Sequence, residues 1–193
     1  MKRKVILASG SPRRLEIMNK HGIDPVVMPT DADETITGDP SMTEVVEDLS
    51  RRKALACYNS IKEDGRYAGY MIVAADTIVY KEGIMGKPED AEDARRMLRS
   101  YRGTCHYVVT GITLINVDNG SEEVLSDVTR VWCKDYTEED IEDYISRSEP
   151  YDKAGAYAIQ GYFGRYIDHI EGDYENVVGL PFYRIEPLIR KYM

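Results

Sequence analysis

The sequence predicts a mixed α/β fold (α+β in its wider sense), a mixed twisted sheet flanked by helices, on three observations. The stretch Tyr70 to Tyr80 is apolar almost without a break, as in a central strand covered on both faces. Two β-rich stretches, 108–117 and 124–132, flank Asp118-Asn119-Gly120, a pattern that reads as a long hairpin with a type I′ turn. Amphipathic helical patterns are interspersed with these strands rather than alternating regularly with them, which excludes a Rossmann repeat.

The elements follow in order. Lys4 to Ala8 is a short buried strand directly after Lys2-Arg3. Ser9-Gly10-Ser11-Pro12-Arg13-Arg14 turns it into a helix, with Ser11 as N-cap and Pro12 at the first position, where its missing N–H costs nothing. Leu15, Ile17 and Met18 supply its apolar stripe and Gly22 ends it. Pro25 to Met28 is a second short strand, followed by a loop containing Asp31, Asp33, Glu34, Asp39 and the turn formers Gly38 and Pro40. Ser41-Met42-Thr43-Glu44 has the capping-box pattern and opens a long helix to about Glu63. Val46, Leu49, Ala56 and Cys57 share one face of it, and Lys53 falls in the middle of that face. After the Tyr70–Tyr80 strand, Glu82-Gly83 turns into Ile84-Met85, and Gly86-Lys87-Pro88 stops it. Asp90 to about Arg99 is a helix with Ala94, Met97 and Leu98 inward. Thr137 caps a helix with acidic residues over its first turn and Ile141, Tyr144 and Ile145 on its face. Residues 153–164 are small and Gly-rich, 166–169 is a strand, Gly172-Asp173 is a turn, and a terminal helix starts at Phe182.

The 193 residues carry 25 Lys+Arg against 34 Asp+Glu, a net charge of −9, and 42% are hydrophobic. This suits a single domain over 1–193, large enough to bury a core without disulfide or metal staples. No apolar run approaches the ~20 residues of a membrane span. Ser9-Gly10-Ser11 cuts the apolar run after Lys2-Arg3-Lys4 too early for a signal peptide, so a cytoplasmic address is expected. Cys57, Cys105 and Cys133 are widely spaced and unpaired with histidines, and read as reduced, mostly packed thiols rather than a zinc site. The acidic balance argues against wrapping long nucleic acid. It leaves room for a small anionic ligand where cations are concentrated locally or a metal is present.

Four places could carry chemistry. Ser9 to Arg14 offers free N–H groups at a helix start, two hydroxyls and two guanidiniums, a set that suits a phosphate or a carboxylate and equally an ordinary capped helix. It is not a P-loop. Asp76-Thr77 interrupts a buried strand, and an ionised Asp there needs a cation, a metal or donors, so Asp76 is a candidate general base or metal ligand. Lys53, inward on its helix, needs an anion; Lys87 sits in a stiff turn but alone reads as a surface lysine, and Glu34 alone as a solvated turn residue. Finally, Asp152-Lys153-Ala154-Gly155-Ala156-Tyr157-Ala158-Ile159-Gln160-Gly161 permits close approach of a flat ligand or close packing, and Gln160 offers a donor and an acceptor. His21, His106 and His169 show no metal spacing.

Ala8-Ser9-Gly10-Ser11-Pro12-Arg13-Arg14, Ala75-Asp76-Thr77, Gly86-Lys87-Pro88, Asp152 through Gly161 and the closing Val178-Gly179-Leu180-Pro181 together resemble the Maf family of nucleoside triphosphate pyrophosphatases, in order and over nearly the whole chain. The resemblance implies a fold like that of inosine-triphosphatase-type enzymes, with two lobes around a cleft. It implies cleavage between the α- and β-phosphates with a divalent metal, Mg²⁺ or Mn²⁺, and no membrane partner; a homodimer is compatible with it. Family roles then fall on Asp76 as proton acceptor, on Lys53 and Lys87, on Ser9 and Arg13 in the opening motif, where Arg14 is a further substrate-binding candidate, and on Glu34; Asp76, with Glu34, either holds the metal or activates the attacking water. Arg13, Thr77 and Gln160 are the positions associated with base choice. The Pro-Arg-Arg sequence resembles the dTTP/UTP-preferring branch, whereas a Trp beside the arginines marks a branch for methylated guanine nucleotides. Ala158 departs from the family, where a Gly is expected, and its methyl group narrows the expected base pocket. A non-catalytic nucleotide-binding regulator linked to septum formation, or a phosphomonoester hydrolase, are the rival classes; Asp76 together with the lysines argues against pure binding. Replacing Lys53 by Met is expected to lower activity and, by removing a buried charge, to stabilise the fold.

Overall fold

The computed structural model describes residues 4–191; Lys2 and Arg3, placed above ahead of the first strand, lie outside the described residues. In chain order the elements are β1 (Val5–Leu7), α1 (Pro12–Lys20), β2 (Val26–Val27), α2 (Met42–Ile61), β3 (Met71–Tyr80), β4 (Ile84–Met85), α3 (Ala91–Tyr101), β5 (Cys105–Asn116), β6 (Glu122–Cys133), α4 (Glu138–Ile145), β7 (Ile167–Glu171), α5 (Tyr174–Val178) and α6 (Phe182–Lys191). The strands hydrogen-bond in the order β2-β1-β3-β5-β6-β7, with β4 on β3. β1 pairs in parallel with β2 and β3, whereas β3–β4 and β6–β7 are antiparallel, so the expected mixed sheet is present. β3 is interior to that order and buried along most of its length, as its continuous apolar run requires.

The chain divides into two compact units. The first holds the residues up to Asp76, Thr110–Asp127 and those from Gly179 onward; the second holds Thr77–Val109 and Val128–Val178. In the first, α2 contributes Ala54, Cys57 and Ile61 to a core with Ile6, Ala8, Ile72, Ala74 and Ile115. Its start is the expected capping box: Ser41 Oγ accepts from the Glu44 N–H at 3.4 Å, and the Glu44 carboxylate accepts from the Ser41 N–H at 2.8 Å. Gly111 on β5 lets α2 approach, because a Cβ there would lie 2.1 Å from the Val46 carbonyl oxygen.

Some local expectations needed correction. Ser11 occupies the N-cap of α1 but its side chain makes no cap bond; its N–H donates instead to Ser9 Oγ at 3.2 Å. Ile17 and Met18 are buried while Leu15 is half-buried, and on α2 Ala54 rather than Ala56 takes the buried place. The β5–β6 turn is not type I′, which needs positive φ at both central residues: Gly120 has φ 68°, Asn119 does not share it, and the Gly120 N–H donates to the Asn116 carbonyl at 2.8 Å. The short helix α5 was not anticipated.

The core of the second unit is aromatic: Tyr101, Tyr136, Tyr144, Tyr157 and Phe163 pack with Met97, Leu98 and Val131. His106 is fully buried among them, with Nε2 2.6 Å from the Tyr157 hydroxyl, Nδ1 4.0 Å from Cys133 Sγ and the Tyr101 ring at 4.3 Å. Burial, aided by the charge of Lys81, pushes its pKa down to about 3. Burial raises the Cys133 thiol to about 12 and the Cys57 thiol to about 11, so both stay protonated; all three cysteines are free. Between about pH 3 and the ordinary histidine value near 6.5, the unfolded chain binds a proton at this residue that the folded chain does not. Stability therefore falls as the pH drops through that window, by on the order of a few kcal/mol. Thermal melts of wild type and His106→Asn between pH 7 and pH 4 check this: the wild-type midpoint should fall more steeply, and equal slopes would contradict it.

Candidate active site

The first unit brings five of the anticipated residues together. The Ala8 N–H still bonds the Val73 carbonyl at 2.9 Å, so β1 delivers Ser9, itself buried, directly from the sheet to the start of α1. Arg14 bends back over this corner, donating from Nη1 to Ser9 Oγ at 3.0 Å and from Nε to the Gly179 carbonyl at 2.9 Å. Gly179, with φ 119°, belongs to the closing Val-Gly-Leu-Pro motif, whose contribution here is a carbonyl that holds an arginine 165 residues away. Burial lowers the Arg14 pKa from its ordinary value, and the Asp76 carboxylate opposes this; Arg13 lowers it further and Glu34 raises it.

Lys53 meets the anion its position demands. Its ammonium lies 2.5 Å from Asp76 Oδ1 and 2.7 Å from Glu34 Oε1. The Lys53 and Asp76 side chains are 15% and 12% exposed, that of Glu34 63%. A lysine that interrupts an apolar helix face thus pairs with the carboxylate that interrupts an apolar strand, each supplying the charge the other needs to be buried. The loop bearing Glu34 is held from the same helix, since Arg52 Nη1 donates to the carbonyls of Asp33 at 3.0 Å and Thr35 at 2.9 Å. Sequence reasoning missed Arg52, whose position alone reads as a solvated face.

Because Asp76 and Glu34 touch one ammonium, they present carboxylate oxygens to the same small volume, and hard oxygen donors suit Mg²⁺ or Mn²⁺. Among the described residues no group of three or more His, Cys, Asp or Glu could hold a metal ion. A hard cation bound there would draw its remaining ligands from outside the protein, as Mg²⁺ commonly does, rather than from an all-protein cage.

Thr77, Lys87 and Gln160 belong to the second unit; Thr77 is half-buried and the other two are exposed. There the Gly155 N–H donates to the Gly86 carbonyl at 2.9 Å, tying the Gly-Lys-Pro turn to the Gly-rich segment. Gly155 has φ 72° and packs against Val79, where a Cβ would come within 2.7 Å of its methyl carbon. Ala158 is half-buried. At Gly155 the small residue serves close packing.

A family model described as Maf-like protein matches residues 4–192. The chain is 40% identical over 192 residues to the dTTP/UTP pyrophosphatase of Caldicellulosiruptor bescii, covering 98% of this chain and 94% of that protein. It is 42% identical over 195 residues to the dTTP/UTP pyrophosphatase of Dictyoglomus thermophilum, covering 99% and 97%. Among solved structures, the Staphylococcus aureus Ham1 protein matches with a TM-score of 0.56 over 98% of this chain and 100% of that one, at 13% identity, a likeness of fold alone. The expected mixed α/β architecture, a mixed sheet flanked by helices, is borne out by it.

Proposed function

The chain belongs to the Maf-like protein family, and from that premise we propose that it hydrolyses dTTP and UTP to the nucleoside monophosphate and pyrophosphate. The observation that carries the reading is the Lys53–Asp76 pair beside the corner made by Ser9 and Arg14. The relatives' names support the substrate class.

The start of α1, with Arg13 and the Ser9–Arg14 corner, offers N–H groups and positive charge to a triphosphate, as helix N-termini do. Lys53 has three N–H donors, so it can hold both carboxylates and still reach a phosphate oxygen. These cations offset the repulsion of a chain with net charge −9. Asp76 accepts a proton from the attacking water as the water oxygen bonds to the α-phosphorus. The bond from that phosphorus to the α–β bridging oxygen breaks, pyrophosphate leaves with the electron pair, and Asp76 returns its proton to solvent. A divalent cation held by Glu34, Asp76 and phosphate oxygens would neutralise charge on the phosphates. A cytoplasmic setting fits three free cysteines; among the described residues no helix is long and apolar enough to cross a membrane.

Pyrophosphate release from UTP and dTTP tests the reaction; orthophosphate as the product would place the protein among phosphomonoester hydrolases, and binding without turnover would make it a nucleotide sensor. Base choice is assigned to Arg13, Thr77 and Gln160. A glutamine pairs bidentately with an imide edge, donating to an oxygen and accepting from N3–H, and cytosine lacks that N3–H. Sites that hydrogen-bond a group reject analogues lacking it. Gln160→Ala should therefore lower the UTP:CTP ratio of kcat/KM while pyrophosphate release continues. An unchanged ratio would remove Gln160 from base reading, and a wild-type preference for GTP or a methylated guanine nucleotide would overturn the pyrimidine assignment.

A further inference from the structure

Gln160 is exposed, so the backbone beneath it sets its direction. The Gly161 N–H donates to the Ala158 carbonyl at 3.0 Å, closing a four-residue turn with Ile159 and Gln160 at its centre. The chain leaving that turn meets the half-buried side chain of Glu149. Glu149 Oε2 accepts from the Tyr162 N–H at 3.1 Å, and Oε1 accepts from the Tyr144 hydroxyl at 3.1 Å. Burial, reinforced by the Glu149 charge, raises the Tyr144 pKa and keeps that hydroxyl a donor. Lys153 Nζ, donating to the Glu149 carbonyl at 3.2 Å, holds the backbone from which the carboxylate reaches.

Gly161 shows that the approach is built. Its φ is −93°, open to any residue, so its glycine is not explained by conformation. A Cβ there would lie 1.9 Å from Glu149 Oε1, so a side chain at 161 would expel the carboxylate. Beyond it, the Tyr162 ring has the guanidiniums of Arg147 and Arg165 over it, at 3.6 and 3.8 Å from its centroid, and lies within 9° of parallel to Tyr144. The exit of the turn is thereby anchored by a carboxylate, two guanidiniums and a stacked ring.

We propose that Glu149 is a positioning, specificity-determining residue: its carboxylate clamps the Gly161–Tyr162 backbone and so aims Gln160 at the imide edge of the base. This rests on the reading of Gln160 given above. It accounts for the Gln-Gly pair, since the glycine admits the clamp for the glutamine before it. A purely structural Glu149 would change stability and leave the choice between bases alone.

The test is kcat and KM for UTP and CTP in wild type, Glu149→Ala, Glu149→Gln, Gly161→Ala, Gln160→Ala and the Glu149→Ala/Gln160→Ala double variant. In Glu149→Ala the UTP:CTP ratio of kcat/KM should fall about ten- to a hundredfold, mainly through KM for UTP, as misplacement of a recognition group does. Glu149→Gln, whose amide oxygen can still accept from the Tyr162 N–H, should keep the ratio within about threefold of wild type. The double variant should discriminate no worse than Gln160→Ala alone, because the two act as one unit. Should Glu149→Ala not fold, Gly161→Ala gives the same reading by displacing the carboxylate. A wild-type ratio in the folded variant, Glu149→Ala or Gly161→Ala, together with a lowered ratio in Gln160→Ala, overturns the clamp and leaves the base reader standing. An unchanged ratio in Gln160→Ala overturns the base reader, and the clamp with it.

Discussion

Asp76→Asn should abolish most turnover while leaving the protein folded. The substitution keeps the side chain's shape, and its amide oxygen can still accept from the Lys53 ammonium that lies 2.5 Å from the native carboxylate. It removes the proton acceptor and one of the two carboxylates offered to a metal. Loss of a general base typically costs about 10²–10⁴-fold. Pyrophosphate release from dTTP, read beside a thermal melt, checks this. Near-normal turnover in a folded Asp76→Asn protein would take Asp76 out of the reaction.

Lys53→Met should lower activity by about 10²–10³-fold, the scale of removing one preorganised electrostatic group from a reacting site. Its effect on stability reverses the expectation formed from sequence, where an inward lysine reads as a buried charge worth removing. In the structure Lys53 stands between Asp76 and Glu34, so its loss leaves two carboxylates facing each other without the cation they share. Glu34, 63% exposed, can turn to water, whereas Asp76, 12% exposed, cannot. Breaking one partner of a buried pair costs about 3–5 kcal/mol, and partial exposure brings the expected value to about 1–3 kcal/mol. Lys53→Met/Asp76→Asn should regain much of that stability and no activity. Thermal melts of the three proteins decide the matter; a Lys53→Met protein that melts at or above the wild-type temperature would show that the pair is not stabilising.

The elements and the two central site residues were legible in the sequence because the signals are local. The capping box at Ser41, the cap at Thr137 and the continuous apolar run of β3 each express short-range backbone chemistry, and each is present. Lys53 and Asp76 stood out because each breaks an apolar pattern, and a buried charge implies an opposite one. The sequence could state that each needed a partner; it could not state that they were each other's.

Tertiary structure alone decided the pairings that depend on the path of the chain. Glu34 sits in a loop without periodicity, so nothing local marks it off from Asp31 or Asp33, and its contact with Lys53 arises because α2 carries Arg52 and Lys53 side by side beneath that loop. Arg14 and Gly179 meet across 165 residues, and the glycine's role is to present a carbonyl, which no side-chain pattern records. Gly111 and Gly161 are both explained by what approaches them, the Val46 carbonyl and the Glu149 carboxylate. His106, read as a histidine without metal spacing, is a neutral core group bonded to Tyr157. Periodicity and capping are properties of a few consecutive residues and survive in any fold. Burial, pKa and close approach are set by residues distant in sequence, and exist only once the chain has folded.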